Sequence, residues 1–111
     1  MTMSKYRNRR TEMDGIMFDS MGEAARWAQL RLMERGGLIT GLERQVPFVL
    51  VEGEKGPGGR RMAPVRYVAD FVYMTPDGRR HVEDFKGVRT AVYRFKKRLM
   101  WHVHGIEIEE V

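Results

Sequence analysis

Two aspartates and a lysine stand where a β-hairpin would bring them together. Tyr67 to Lys86 consists of two β-rich runs joined by Thr75-Pro76-Asp77-Gly78. Proline at the second position of a type I turn and glycine at the left-handed position make a three-residue loop, so Thr75 sits opposite Arg79. Counting back from that turn pairs Met74 with Arg80, Val72 with Val82 and Asp70 with Asp84. Directly opposed residues share a face with Cβ atoms about 4.5–5.5 Å apart, and like charges there destabilise the pair. Something must compensate. Lys86, two residues beyond Asp84, falls on the same face by the period of two, whereas Glu83 points the other way. A hard divalent cation is the other compensator, since Mg²⁺ takes oxygen ligands, usually one or two carboxylates with water and phosphate. Paired carboxylates, a cation and an ammonium are the parts that phosphodiester hydrolysis needs: the metal activates water and stabilises developing charge, and the ammonium orients the nucleophile. The bland alternative is a surface aspartate pair neutralised by Lys86 and nearby arginines.

The elements around this hairpin follow from period and punctuation. Residues 1–14, with Lys5, Arg7, Arg9 and Arg10 and few apolar groups, are expected to form a basic flexible arm, leaving 15–111 as a single domain. Ser20-x-x-Glu23 has the spacing of a capping box, and Ala24, Ala25, Trp27, Ala28, Leu30, Leu32 and Met33 continue a helical pattern until Gly36-Gly37. Leu38-Ile39 suggests a short strand, and Val46 to Val51 a longer one in which Pro47 marks an edge or a start. Gly53 to Arg61 has the composition of a solvated hairpin tip. Thr90 can cap a second helix running to about His104, with an apolar stripe of Val92, Phe95, Leu99 and Val103, and Gly105 ends it. Ile106 to Val111 alternates apolar and acidic residues as a half-buried strand does. The order is α-β-β-β-α-β, an α/β (α+β) domain with a mixed central sheet flanked by helices.

Composition bounds the chemistry. The 111 residues contain no cysteine, which excludes thiolate metal sites, cysteine nucleophiles and disulfide scaffolds, and suits a reducing, cytoplasmic setting. No run approaches the ~18 apolar residues of a membrane span, and the amino end has no apolar core of an export signal. With 20 Lys+Arg against 15 Asp+Glu the formal charge is +5, which favours a polyanionic partner.

The element order and Asp70 with Asp84-Phe85-Lys86 resemble the PD-(D/E)XK nuclease superfamily, whose restriction-endonuclease-like core carries an acid on the second strand and (D/E)-x-K on the third. The resemblance covers about residues 16–111. Phe18-Asp-Ser-x-x-Glu23, Gln45-Val-Pro, Ala69-Asp70-Phe and Glu83-Asp-Phe-Lys-Gly87 are similar to a family of small, uncharacterised, phage-encoded domains. Ala69 replaces the proline before the first acid, and Asp84 the more frequent glutamate. The resemblance implies that Asp70 and Asp84 hold Mg²⁺ (or Mn²⁺), that the Phe85 carbonyl completes the shell and that Lys86 positions the nucleophile. Glu23 matches a first-helix glutamate that completes such metal sites, and it is equally the closing residue of a capping box.

The basic surface has a similar pair of meanings. Lys86, Arg89, Arg94, Lys96, Lys97 and Arg98 put six cations between 86 and 98 with no acid from Gly87 to Arg98, either a solvated helix face or a phosphate-binding one. Arg94, Lys97 and Arg98, lying off the apolar stripe, with Arg89 and the loop's Arg60 and Arg61, are the candidate nucleic-acid contacts. His102 and His104 have the wrong spacing for one helical face, Tyr93 and Trp101 suit packing better than base stacking, and Gln45 suits a loop hydrogen bond better than a site role. The expectation is a Mg²⁺-dependent DNA endonuclease acting in phage DNA processing in a host cytoplasm. By analogy with junction resolvases, it acts on branched DNA or Holliday junctions as a homodimer. The rivals are a non-catalytic nucleic-acid-binding protein and a phage regulatory or antagonist protein on the same fold.

Overall fold

The computed structural model describes residues 9–86 and 88–111; Lys5 and Arg7 of the expected arm lie outside them. Thr11 to Met13, expected in the arm, are instead strand β1 (Thr11–Met13), which pairs antiparallel with β2 (Ile16–Phe18) across the Asp14-Gly15 turn. Both turn residues have positive φ, 54° and 76°, a conformation that aspartate tolerates and glycine adopts freely. Helix α1 (Met21–Arg35) then begins at Ser20, whose hydroxyl accepts the Glu23 amide at 3.1 Å.

The central sheet has four strands in the order β3 (Thr40–Val51), β6 (Val65–Met74), β7 (Arg80–Asp84) and β8 (Glu109–Glu110). β3, β6 and β7 are antiparallel neighbours and β8 is parallel to β7, so the sheet is mixed. Between β3 and β6 the chain makes a two-stranded ribbon, β4 (Glu54–Lys55) and β5 (Arg61–Met62), around the glycine-rich tip. Counting helices and sheet strands gives α1-β3-β6-β7-α2-β8, the expected order, with α2 spanning Ala91–Leu99. Leu38-Ile39 is a connection and not a strand; the strand starts at Thr40 and reaches back well before Val46, with Pro47 on the sheet's edge strand, where a missing N–H costs no ladder bond.

Each face of the sheet buries one helix. Phe18, Ala24, Trp27, Leu30, Ile39, Phe71 and Tyr73 form the core under α1. Phe48, Leu50, Tyr67, Ala69, Val72, Val82, Tyr93, Met100 and Ile108 form the core under α2. At roughly 1.5–3 kcal/mol per large apolar side chain, these two layers supply the main drive for folding. A buried ion pair ties α1 to the sheet: Arg26 donates from Nε to Glu83 Oε1 (2.8 Å) and from Nη2 to Oε2 (2.5 Å), and Tyr73 donates its hydroxyl to the same carboxylate.

The second helix turns its expected stripe the other way. Tyr93 and Met100 are its buried residues, whereas Val92 and Phe95 are each 65% exposed and Val103 45%. The helix is apolar on two sides, and the one carrying Tyr93 won because its hydroxyl reaches Glu110 Oε2 at 2.7 Å. Trp101 is also exposed and not packed in the core. The last turn, Met100–His104, widens to a π-helix before Gly105 closes it in the left-handed conformation.

The long β3–β6 ribbon changes faces partway. Residues two apart on a strand normally stay on one side. On β3, Leu42 packs under α1 and Arg44 lies over Phe18, yet Val46, Phe48 and Leu50 belong to the α2 core. On β6, Tyr67 and Ala69 belong to the α2 core and Phe71 and Tyr73 to the α1 core. The changeover falls at Gln45 and Asp70, and Gln45 has φ 54°, one of two non-glycine residues with positive φ among those described. Asp70 therefore sits where the two layers meet.

Candidate active site at the open end of the hairpin

The hairpin has the expected register. Met74 pairs with Arg80, Val72 with Val82 and Phe71 with Glu83, so the next position sets Asp70 against Asp84. Asp70 does not lie flat in the ladder. Its Oδ2 accepts the Phe85 amide at 2.8 Å and its Oδ1 accepts Gln45 Nε2 at 3.3 Å. Asp84 is 1% exposed, and the Tyr67 hydroxyl donates to its Oδ2. The other oxygen, Oδ1, is buried and accepts no hydrogen bond, with Lys86 Nζ 3.3 Å away as its ion-pair partner. That ammonium also lies 4.8 Å from the centre of the Tyr93 ring.

Glu23 enters from α1. Its backbone amide completes the Ser20 cap, but its side chain makes no reciprocal bond to the cap; it is 8% exposed and faces Asp70. Burial first, then the charges of Asp70 and Asp19, push its carboxyl up to about 7, against the pull of Arg44. Asp70 is also raised, by burial and then by Asp84, although the Phe85 amide and Lys86 oppose the shift. Burial and Asp84 push the Tyr67 hydroxyl far up, so it remains a donor. Three carboxylates thus converge without enough positive charge to satisfy all three.

Glycine at position 22 makes this approach possible. A Cβ there would fall 2.1 Å from Phe85 Cζ and 2.8 and 2.9 Å from the Cε atoms, so the first turn of α1 rests on the residue between Asp84 and Lys86.

The donor set suits a hard cation: carboxylate oxygens, one of them a buried Oδ1 that no hydrogen bond satisfies, beside carboxyls whose ionisation is suppressed by burial and then by neighbouring acids. Among the described residues, however, no group of three His, Asp or Glu side chains is arranged to hold a metal ion, so the expected trio of Glu23, Asp70 and Asp84 is not in ligating geometry as it stands. The best fit is a cation held by Asp70 and Asp84 with water completing the shell.

The expected nucleic-acid contacts divide. Arg89 and Lys97 are both bound to Glu110, at 2.9 and 3.1 Å, and Glu110 is held down to about 2 by Tyr93, Arg89 and Lys97. Arg94 and Arg98 are exposed on α2. Arg60 and Arg61 lie on the ribbon beyond Val51, six residues along β3 from Gln45, or about 20 Å of strand. The structure does not bring that pair to the carboxylates.

Sequence reasoning passes over Tyr67 and Gly22, and it favours a loop hydrogen bond for Gln45, which instead donates to Asp70. Strict alternation sets Tyr67 on the face opposite Asp70, and only the changeover at Gln45 and Asp70 turns it toward Asp84. For Gln45 the signals are its polarity ahead of a strand and its place in Gln45-Val-Pro; its positive φ has no sequence signal.

A family model described as "Protein of unknown function (DUF1064)" matches residues 3–108. No curated protein matches the chain.

Proposed function

The chain belongs to DUF1064, a protein family of unknown function, and we propose that it is a divalent-metal-dependent DNA endonuclease with a PD-(D/E)XK-type site. One observation carries this reading. Asp70 and Asp84 meet at the open end of one hairpin, the buried Oδ1 of Asp84 has no hydrogen bond, and Lys86 stands 3.3 Å from it.

Asp70 and Asp84 would hold the cation. When bound, Mg²⁺ or Mn²⁺ supplies Lewis-acid stabilisation of charge on a phosphodiester and makes water a stronger acid. The remaining roles belong to the chain. Tyr67 fixes the Asp84 carboxylate by donating to Oδ2, and Gln45 and the Phe85 amide fix Asp70, so both acids are oriented before substrate arrives. The Lys86 ammonium, steadied by the Tyr93 ring, can donate to the attacking water or to a phosphate oxygen. Glu23, with a carboxyl near 7, can hold or release a proton at neutral pH. The substrate in this proposal is branched DNA cut by a homodimer during phage DNA processing, which follows from analogy with junction resolvases and not from the site.

The test is to incubate pure protein with four-way junction, flap and linear duplex DNA in Mg²⁺, Mn²⁺ or EDTA. Metal-dependent nicking is expected, strongest on branched DNA. Salt-sensitive binding with no cleavage in either metal would overturn the enzyme and favour a nucleic-acid-binding protein; no binding at all would favour a protein partner.

A further inference from the structure

A groove of about 290 Å³ opens between β6 and α2, beside Asp84. Arg66, Lys86 and Lys96 line it together with Tyr67, Val68, Thr90, Val92 and Tyr93, and no acidic side chain does. Two of its walls reach the site directly: the Lys86 ammonium is the ion-pair partner of Asp84 Oδ1, and the Tyr67 hydroxyl donates to Asp84 Oδ2. Arg66 and Lys96 form no ion pair among the described residues, unlike Arg89 and Lys97, whose charge Glu110 engages. Val68 and Val92, 46% and 65% exposed, give the groove an apolar wall.

We propose that this groove seats one nucleotide of the substrate strand next to the scissile phosphate, with its phosphate on Arg66, Lys86 and Lys96 and its sugar and base edge against Val68 and Val92. The proposal rests on the nuclease reading for the word substrate, but its binding chemistry is independent of turnover. Arg66 and Lys96, which form no ion pair among the described residues, and Lys86, shared with Asp84, favour an anion in a groove that no carboxylate lines. Its volume is at the lower end of small-molecule sites and suits a single nucleotide. The apolar wall distinguishes a nucleotide from a bare inorganic anion. Because Lys86 lines the groove and pairs with Asp84, a phosphate held on it lies beside that carboxylate. The track of the strand is then the inner side of α2, past Lys96, and not its outer face at Arg94 and Arg98.

The experiment measures binding of a fluorescein-labelled single-stranded oligodeoxynucleotide by anisotropy in EDTA over a salt series. Wild type, Arg66→Ala, Lys96→Ala and Arg35→Ala are compared, the last removing an exposed charge at the far end of α1. Arg66→Ala and Lys96→Ala are each expected to weaken binding about tenfold and to lower the slope of log K against log salt by about 0.7. Arg35→Ala should bind like wild type. Unchanged binding in both groove variants, or an equal loss in Arg35→Ala, would overturn the groove. Loss confined to the groove variants supports it even if wild type cuts no substrate in Mg²⁺ or Mn²⁺, an outcome that overturns the nuclease reading alone.

Discussion

Three carboxyls in partial burial set the behaviour of the site at the scale of single residues. Glu23 near 7 and a raised Asp70 both have folded-state values above those of the unfolded chain. The sign follows from linkage: such groups favour the fold fully below their unfolded values, and that contribution is lost as pH rises through the folded ones. The metal-free protein should therefore lose stability between about pH 4.5 and pH 7, followed as a falling Tm. A bound cation reverses the sign by favouring the ionised pair, so Mg²⁺ or Mn²⁺ should raise Tm more at about pH 8 than at about pH 5. Glu23→Gln removes one of the mutually repelling acids and should stabilise the metal-free protein by about 1–2 kcal/mol at pH 8. A Tm that rises with pH in EDTA, or a Glu23→Gln protein less stable than wild type there, would contradict this account. Gln45 shows what local patterning cannot convey. Its positive φ is uncommon for a side chain of this kind, and it is found where the ribbon changes faces and Asp70 is held.

At the scale of elements, α1 and the hairpin are fixed to one another at two places. At one, Gly22 lets the helix rest on Phe85. Gly22→Ala would gain about 1 kcal/mol of helix propensity and lose about 1–3 kcal/mol to overpacking, a net loss of up to about 2 kcal/mol. The displaced Phe85 carries Asp84 and Lys86 with it, and cleavage should fall about tenfold to a hundredfold, measured as a single-turnover rate. A wild-type rate would mean that the contact does not position the site. At the other, Arg26→Ala leaves the buried Glu83 carboxylate without its cation and should cost about 3–5 kcal/mol in urea unfolding. A loss under about 1 kcal/mol would show that Tyr73 alone satisfies Glu83. The hairpin register was legible because Thr75 to Gly78 admits one loop geometry, and register follows from the loop. The element order was legible for the same reason, since capping and turn residues punctuate it. The second helix was misjudged because two of its sides carry apolar residues at helical spacing; the hydroxyl bond from Tyr93 to Glu110, made across the fold, decided between them. The α1 side of the site was legible only as two roles for Glu23. Its amide serves the cap, and its carboxyl faces Asp70.

At the scale of the whole molecule, shape and charge go together. The radius of gyration is 16.4 Å, against about 13 Å for a compact chain of this length, and the dimensions are 53 × 47 × 23 Å. The β4–β5 ribbon carries Arg60 and Arg61 out along the length of β3 and β6. Among the described residues no helix is long and apolar enough to cross a membrane. A net +5 spread over a flat, extended body, with Glu23, Asp70 and Asp84 at the junction of its layers, suits a polyanion lying across the surface with one bond over Asp84. The most direct measurement is single-turnover cleavage of a branched DNA in Mn²⁺ by wild type, Asp84→Asn and Lys86→Ala, with binding measured alongside in EDTA. The account predicts that wild type cuts, and that both variants lose at least about a hundredfold in rate at saturating protein, Asp84→Asn binding DNA undiminished and Lys86→Ala more weakly. Undiminished cleavage in Asp84→Asn and Lys86→Ala would contradict it.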